Sequence, residues 1–532
     1  MKTIKPQIVT TDSSEVRASL LEGTKVLSDA VSTTLGPLGS NVIIETPYGP
    51  TTVTKDGVTV SDQIALENPI QNLAVDVVKQ AASKTSKTAG DGTTTSTLLS
   101  YALFKEAYPL LLSSTPPISI KRTFEDLLSK TLDYLSSISK PITLSNIKDI
   151  ATISANNDHE LGSLISDAYN HVSLSGIIAL EDSPTPSTTI ELIDGAHFDR
   201  GFVSHYFITD PKTLTAEYEN PLFLITDYKI RSTQEIAPLL EKVAPTSRPL
   251  IIIADEIEGQ VLSVLIYNKL HGRLKSLAVK APSFAQSRQD ILQDLAALTS
   301  SNFISHTKGQ RLEDVTLNDL GTAAKITSTE TRTTIFEPAR DEEQILARTE
   351  AIHAQLQTAT GYEKEKLESR LANLSAKIAL LKVGASTETE LKEKKDRLDD
   401  ALKATRAAIQ KGYLPGGGTA LLRAASQISP SDPLQLAFTR ALTYPFYKIL
   451  NNASLPSEVI KDKVLSNPST AYGYDVSTNT FGDLEELGVI DPTLVVTEAL
   501  RNATSAASML ILSSTAVHAI DRTPPYNPHD HI

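Results

Sequence analysis

The chain has 532 residues, 40% of them apolar and 21% charged, which is ordinary globular composition and enough for two to four hydrophobic cores. Its formal charge of −13 argues against nucleic-acid binding, and the absence of cysteine removes disulfides, thiolate nucleophiles and Cys–zinc sites together. No apolar run approaches the roughly 18–20 residues of a membrane helix, and MKTIKPQIVTTDSSEV has no leader-like apolar stretch, so a cytoplasmic protein without membrane or nucleic-acid partners is expected.

Val26, Leu27, Ala30, Val31 and Leu35 fall at helical spacing, and Gly36-Pro37 stops that helix. Asn41–Glu45 and Thr51–Thr54 read as short strands, followed by Lys55-Asp56-Gly57 and an apolar run, Val58–Ile64. A second helix spans about 72–86, and a third about 121–136 after the loop 113–118. From 176 to 320 strands alternate with amphipathic helices: 176–181, 222–226, 250–254 and 277–280 are strands, and 235–243 and 260–270 are helices, which makes an α/β domain. Over 341–381, Ile345, Ile352 and Leu356, then Leu367, Leu371, Leu374, Ile378 and Leu381, predict two antiparallel helices broken at Thr360-Gly361, with a short coiled coil as the rival. A long helix, 388–412, leads into Pro415-Gly416-Gly417-Gly418, and the tail 523–532 is expected to be disordered.

The most unusual string is Gly90-Asp91-Gly92-Thr93-Thr94-Thr95. Glycines let a backbone approach an anion, a helix start offers unpaired N–H groups, and Asp91 is an oxygen ligand suited to Mg²⁺. A threonine-capped helix after a flexible turn explains the same residues. The string is neither GxxxxGK[ST] nor GxGxxG, so the two common nucleotide motifs are excluded. A small-molecule kinase would need a base near this loop, and none is legible. The ten histidines form no zinc pattern, and Ser154 and Ser204 have no legible His/Asp partners.

TLGPLGSNV (34–42), TKDGVTV (54–60), AGDGTTTST (89–97), ATISAN (151–156), FDRGFVSHYF (198–207), VKAPSF (279–284), KVGASTE (382–388), DALKATRAA (400–408), PGGGTAL (415–421) and VIDPTLV (489–495) resemble, in this order, the motifs of group I (GroEL-type) chaperonins. The resemblance covers roughly residues 15–518. It implies a mixed, mainly α chaperonin fold: a discontinuous helical equatorial ATP-binding domain (1–136 and 411–532), a small α/β intermediate hinge domain (137–193 and 379–410) and an α/β apical substrate-binding domain (194–378).

Position by position, it implies that Leu35, Gly36 and Pro37 line the base and phosphates, with Lys55 beside them. Gly90, Gly92, Thr93, Thr94 and Thr95 wrap the phosphates, Asp91 holds Mg²⁺, and Asp56 and Asp400 polarise the attacking water. Gly417, Val489 and Asp491 contact the adenosine, as do Asp475, Val476 and Ser477, which stand where the family has a base-contacting Asn-Ala-Ala. ATP and Mg²⁺ are thus the expected cofactors, with K⁺ as a further ion. The apolar client strip maps to Phe202, Tyr206, Phe207, Ala237, Leu240, Leu262, Ile266 and Tyr267; without the resemblance, simple core packing is the default for these residues. Unfolded proteins, a homo-oligomeric seven-membered ring and a co-chaperonin lid are the implied partners.

Several positions depart from the family. Leu38 and Ser40 replace the Lys and Arg of GPKGRN, Gln410-Lys411 replaces an acidic pair, and Gln260 replaces an acid of the groove. Tyr447 stands at a ring-contact arginine, and the Gly-Gly-Met tail is missing. The pattern resembles a divergent bacterial paralogue of the kind ascribed to chlamydia-like bacteria. Its alternative is a holdase or structural assembly with weakened cycling.

Overall fold

The computed structural model describes residues 7–45, 52–155, 157–174, 176–211, 213–282, 285–356, 362–374 and 377–519. The helices, in chain order, are α1 (Ser13–Ser32), α2 (Gly57–Gln63), α3 (Pro69–Ala89), α4 (Thr93–Leu112), α5 (Pro117–Ile138), α6 (Leu144–Ser154), α7 (His159–Val172), α8 (Thr233–Val243), α9 (Gly259–Leu270), α10 (Ala285–Thr299), α11 (Glu342–Leu356), α12 (Tyr362–Leu374), α13 (Glu388–Lys411), α14 (Thr419–Gln427), α15 (Pro433–Leu442), α16 (Tyr444–Asn452), α17 (Ser457–Ser466) and α18 (Thr493–Leu512). The chain divides into two compact units, one of residues 1–167 with 388–532 and the other of 168–387.

The first unit is a helical bundle. Asp12 caps α1 by accepting from the N–H groups of Ser14 and Glu15, and Asn68 caps α3 with Pro69 at its first position. α18 is buried nearly all round, so it runs through the core with α4 and α3 against it. Leu27, Val31, Leu99, Phe104, Leu500 and Ile511 fill that core, and Phe124 meets Phe438 edge to face at 5.3 Å. Residues Gln7–Thr10 pair antiparallel with Ala516–Ala519, joining the two ends of the described chain. The first helix stops at Ser32, so Leu35 lies in the turn beyond it. The run 58–64 is helical over most of its length because Asp56 caps α2.

The second unit is built on a mixed sheet. Its strand order is Ser276–Lys280, Leu250–Ala254, Leu222–Ile225, Gly321–Ser328, Thr333–Pro338, Thr189–Phe198, Lys377–Val383 and Ile177–Asp182, with Ala216–Glu219 added on Gly321–Ser328. The first three are parallel, and Leu250–Ala254 is fully buried, as a strand covered on both faces must be.

One expectation is corrected here. α11 and α12 form where two helices were expected, but Ile378 and Leu381 belong to a strand, Lys377–Val383. That strand lies parallel to Ile177–Asp182 and antiparallel to Thr189–Phe198. The break at Thr360-Gly361 and the tail 523–532 lie outside the described residues.

Candidate functional site

The Gly90-Asp91-Gly92 loop joins α3 to α4. Gly90 ends α3 at φ +80° and Gly92 opens α4 at φ +90°, conformations that side chains oppose. A Cβ on Gly90 would fall 2.2 Å from the Cβ of Lys403, so α13 rests directly on the loop. The Asp91 carboxylate accepts from the N–H of Gly92 and from the Ser154 side chain at the end of α6. At the start of α4 the hydroxyls of Thr93, Ser96 and Thr97 are buried and have no hydrogen-bond partner among the described residues.

Acids from distant parts of the chain gather at this loop. Desolvation, then repulsion from Asp91 and Asp56, pushes Asp400 on α13 up to about 8. Desolvation, then Asp91, pushes Asp491 up to about 7. Asp91 is itself raised by desolvation, with Asp56 adding to the shift. Asp56 accepts from the N–H groups of Val58 (3.0 Å) and Thr59 (2.8 Å) and from the Thr59 hydroxyl (2.6 Å). A Cβ on the next residue, Gly57, would strike the Thr94 hydroxyl, which sets this cap against the threonine string.

Two further turns flank the acids. Gly36 has φ +84°, Lys55 donates to the Pro37 carbonyl at 3.2 Å, and burial pulls the Lys55 ammonium below its ordinary range. Asn452 of α16 clamps this turn by donating to the carbonyls of Ser32 and Leu35, both at 2.9 Å. In the ladder Tyr413–Pro415 with Ile490–Pro492, Leu414 faces Asp491, and Gly416 donates to the Val489 carbonyl at 2.9 Å. Gly417 (φ +62°) would carry a Cβ meeting only Val489, at 3.9 Å, so that side of the turn is open.

Asp475 ends the first strand of a hairpin, Val476 and Ser477 open its turn, and that strand passes Thr419 at Gly473. Asp475 is engaged by its own turn, accepting from the Ser477 N–H (2.8 Å) and the Thr478 hydroxyl (2.7 Å), while Val476 is buried against residues such as Phe446 and Val464. Ser154 and Lys403 lie within the ATISAN and DALKATRAA motifs but carried no assigned role, and Asn452 lies in none of the motifs. Each reaches the loop or its flanking turn from an element remote in sequence, so its role there was not legible from local pattern.

In the second unit, Ile236, Leu239 and Val243 bury one face of α8, and Val261 and Leu265 bury one face of α9. Ala237, Leu240, Leu262 and Ile266 are half-buried, and Tyr206 (66% exposed) and Tyr267 (51%) stand out from the surface. Phe207 is fully buried and Phe202 nearly so, so these two shape the surface from beneath. Lys269 of α9 donates to the carbonyls of Tyr206 (2.7 Å) and Ile208 (2.9 Å), and Tyr267 lies against His271 with ring centroids 4.0 Å apart.

The family model for TCP-1/cpn60 chaperonins matches residues 27–520. The chain belongs to this chaperonin family. Two solved structures of chaperonin gp146 from the bacteriophage EL 2 (Pseudomonas aeruginosa), both obtained in the presence of ATP-BeFx, share its fold. Crystal form II has a TM-score of 0.72 at 23% identity over 96% of this chain and 98% of that one. Crystal form I has a TM-score of 0.64 at 22% identity over 96% and 99%. As a divergent chaperonin, the protein is a molecular chaperone with the mainly helical, multi-domain chaperonin fold. No helix among the described residues is long and apolar enough to cross a membrane.

Proposed function

We propose that this chaperonin hydrolyses ATP at the acidic cluster of the first unit and uses the cycle to bind and release non-native proteins in the cytoplasm. The observation that carries the reading is Asp400, held on α13 against Asp91 and Asp56 beside the glycine-flanked start of α4. A magnesium-bound triphosphate fits the residues present. The buried hydroxyls of Thr93, Ser96 and Thr97 have no hydrogen-bond partner among the described residues, and a helix start offers free N–H groups. Crowded acids that resist ionisation call for a cation. Mg²⁺ takes one or two carboxylates and completes its shell with phosphate and water.

In this reading Asp91 holds Mg²⁺, which when bound neutralises charge on the phosphate oxygens. The N–H groups and hydroxyls of Gly92–Thr95 bind those oxygens. Leu35–Pro37, Lys55, Gly417, Val489 and Asp491 border the rest of the nucleotide, and residues 475–477 sit at its base end. Asp56 and Asp400 orient the water, and Asp400 in its ionised form takes its proton.

The half-buried face of α8 and α9 with Tyr206 and Tyr267 receives apolar client segments. A seven-membered ring, a co-chaperonin lid, K⁺ as a second ion and the division into equatorial, hinge and apical domains belong to the same proposal. The holdase alternative is not favoured, because Asp56, Asp91, Asp400 and Asp491 are all present. Purified protein should hydrolyse ATP with Mg²⁺ and raise the refolding yield of a denatured client only when ATP is supplied. Equal yields with and without ATP would overturn the reading.

A further inference from the structure

Lys403 lies one helical turn beyond Asp399 and three residues beyond Asp400 on α13, so all three share one side of the helix. Its stem begins at the loop itself, because the space a side chain on Gly90 would need is filled by the Lys403 Cβ. Its ammonium pairs with Asp399 at 2.6 Å, and both side chains are about half exposed (43% and 51%). An exposed i,i+4 pair of this kind is held weakly and exchanges readily. The lysine charge also acts on Asp91 and Asp400, whose other charged neighbours include Asp56 and Asp399.

A triphosphate would bring more negative charge to a place already crowded with carboxylates. In phosphoryl transfer, a cation placed on the terminal phosphoryl oxygens is a principal source of rate.

We propose that Lys403 gives up Asp399 for the terminal phosphoryl group of bound ATP, acting as a triphosphate-sensing, rate-promoting cation on the helix that carries Asp400. The role rests on the nucleotide reading above. The bond between water oxygen and the terminal phosphorus forms as the bond to the ADP oxygen breaks. The water proton passes to Asp400, and Lys403 stays protonated throughout. One helix then brings both the proton acceptor and the counter-charge to the reacting phosphorus. If Lys403 were only the helical partner of Asp399, the number of phosphates on the ligand would not matter to it.

Calorimetry with Mg²⁺ and either ADP or a non-hydrolysable ATP analogue separates the two roles, using wild type, Lys403→Met and Lys403→Arg, with steady-state turnover and thermal midpoints on the same samples. Lys403→Met should keep ADP affinity within about threefold, lose about tenfold or more for the triphosphate analogue, and lose about tenfold or more in kcat at an unchanged midpoint. Lys403→Arg should recover most of both losses. Should Lys403→Met fail to fold, Lys403→Gln gives the same pair of affinities. Analogue affinity and kcat within about twofold of wild type in Lys403→Met would overturn the lysine's role alone. A wild-type chain that binds neither nucleotide would overturn the nucleotide reading and this role with it.

Discussion

Asp91, more than three hundred residues from Asp400 in sequence, lies close enough that its charge adds to burial in making Asp400 harder to ionise. Asp400 rises to about 8 and Asp491 to about 7, far above the ~3.9 of an unfolded aspartate. The folded, nucleotide-free chain therefore holds protons that the unfolded chain has released. The stability tied to these groups is complete below about pH 4 and is lost as pH rises through about 7 to 8. In EDTA, thermal midpoints should fall between pH 5 and pH 9, and Asp400→Asn should shrink that fall. An unchanged pH dependence in the variant would contradict the repulsion.

Gly92→Ala should damage the loop itself. The residue sits at φ +90°, and the new methyl would lie 2.8 Å from the Val495 side chain. The left-handed backbone alone costs about 1–2 kcal/mol, so unfolding in urea should show at least that loss, together with weakened nucleotide binding. A variant as stable as wild type would mean that the loop turns differently.

Lys269 offers a test confined to the second unit. By holding the carbonyls of Tyr206 and Ile208, it fixes the exposed Tyr206 beside α9. Lys269→Met should weaken capture of a denatured client several-fold while leaving nucleotide affinity within about twofold, since the two donor hydrogen bonds are worth only ~1–3 kcal/mol together. Tyr206→Ala should produce a similar loss of capture. Client binding that survives both changes would place the client surface elsewhere.

Arg370 is the structural control. Its guanidinium donates to the buried Asp294 at 2.7 and 3.1 Å, and Arg348 of α11 pairs with the same carboxylate, so the three residues tie α10, α11 and α12 together. Arg370→Met should cost about 1–3 kcal/mol, because Arg348 still holds Asp294 while the carboxylate oxygen that Arg370 engaged loses its donor, as read by denaturant unfolding, with ADP affinity unchanged. A loss under about 0.5 kcal/mol would show that Arg348 alone satisfies Asp294.

What the sequence revealed followed the range of the interactions. Gly90-Asp91-Gly92 was legible because its turn chemistry is local, and the buried strand Leu250–Ala254 was legible from its apolar run. Asp400 and Asp491 entered only through the family resemblance, since no local pattern tells that residues so far apart meet Asp91. Ile378 and Leu381 continue the helical spacing of Leu367–Leu374, yet they lie buried on opposite faces of a strand between two others. Spacing alone does not separate those outcomes over a few residues. Asp56 two residues before Val58 was a cap signal that the apolar run behind it obscured.

Nucleotide titration of wild type and Asp400→Ala, with turnover measured on the same preparations, bears most directly on the acidic cluster as an ATP-hydrolysing site. Wild type should bind ADP and hydrolyse ATP, and Asp400→Ala should bind ADP with similar affinity while turnover falls by about a hundredfold or more. Undiminished hydrolysis in Asp400→Ala, or no nucleotide binding by wild type, would contradict the account.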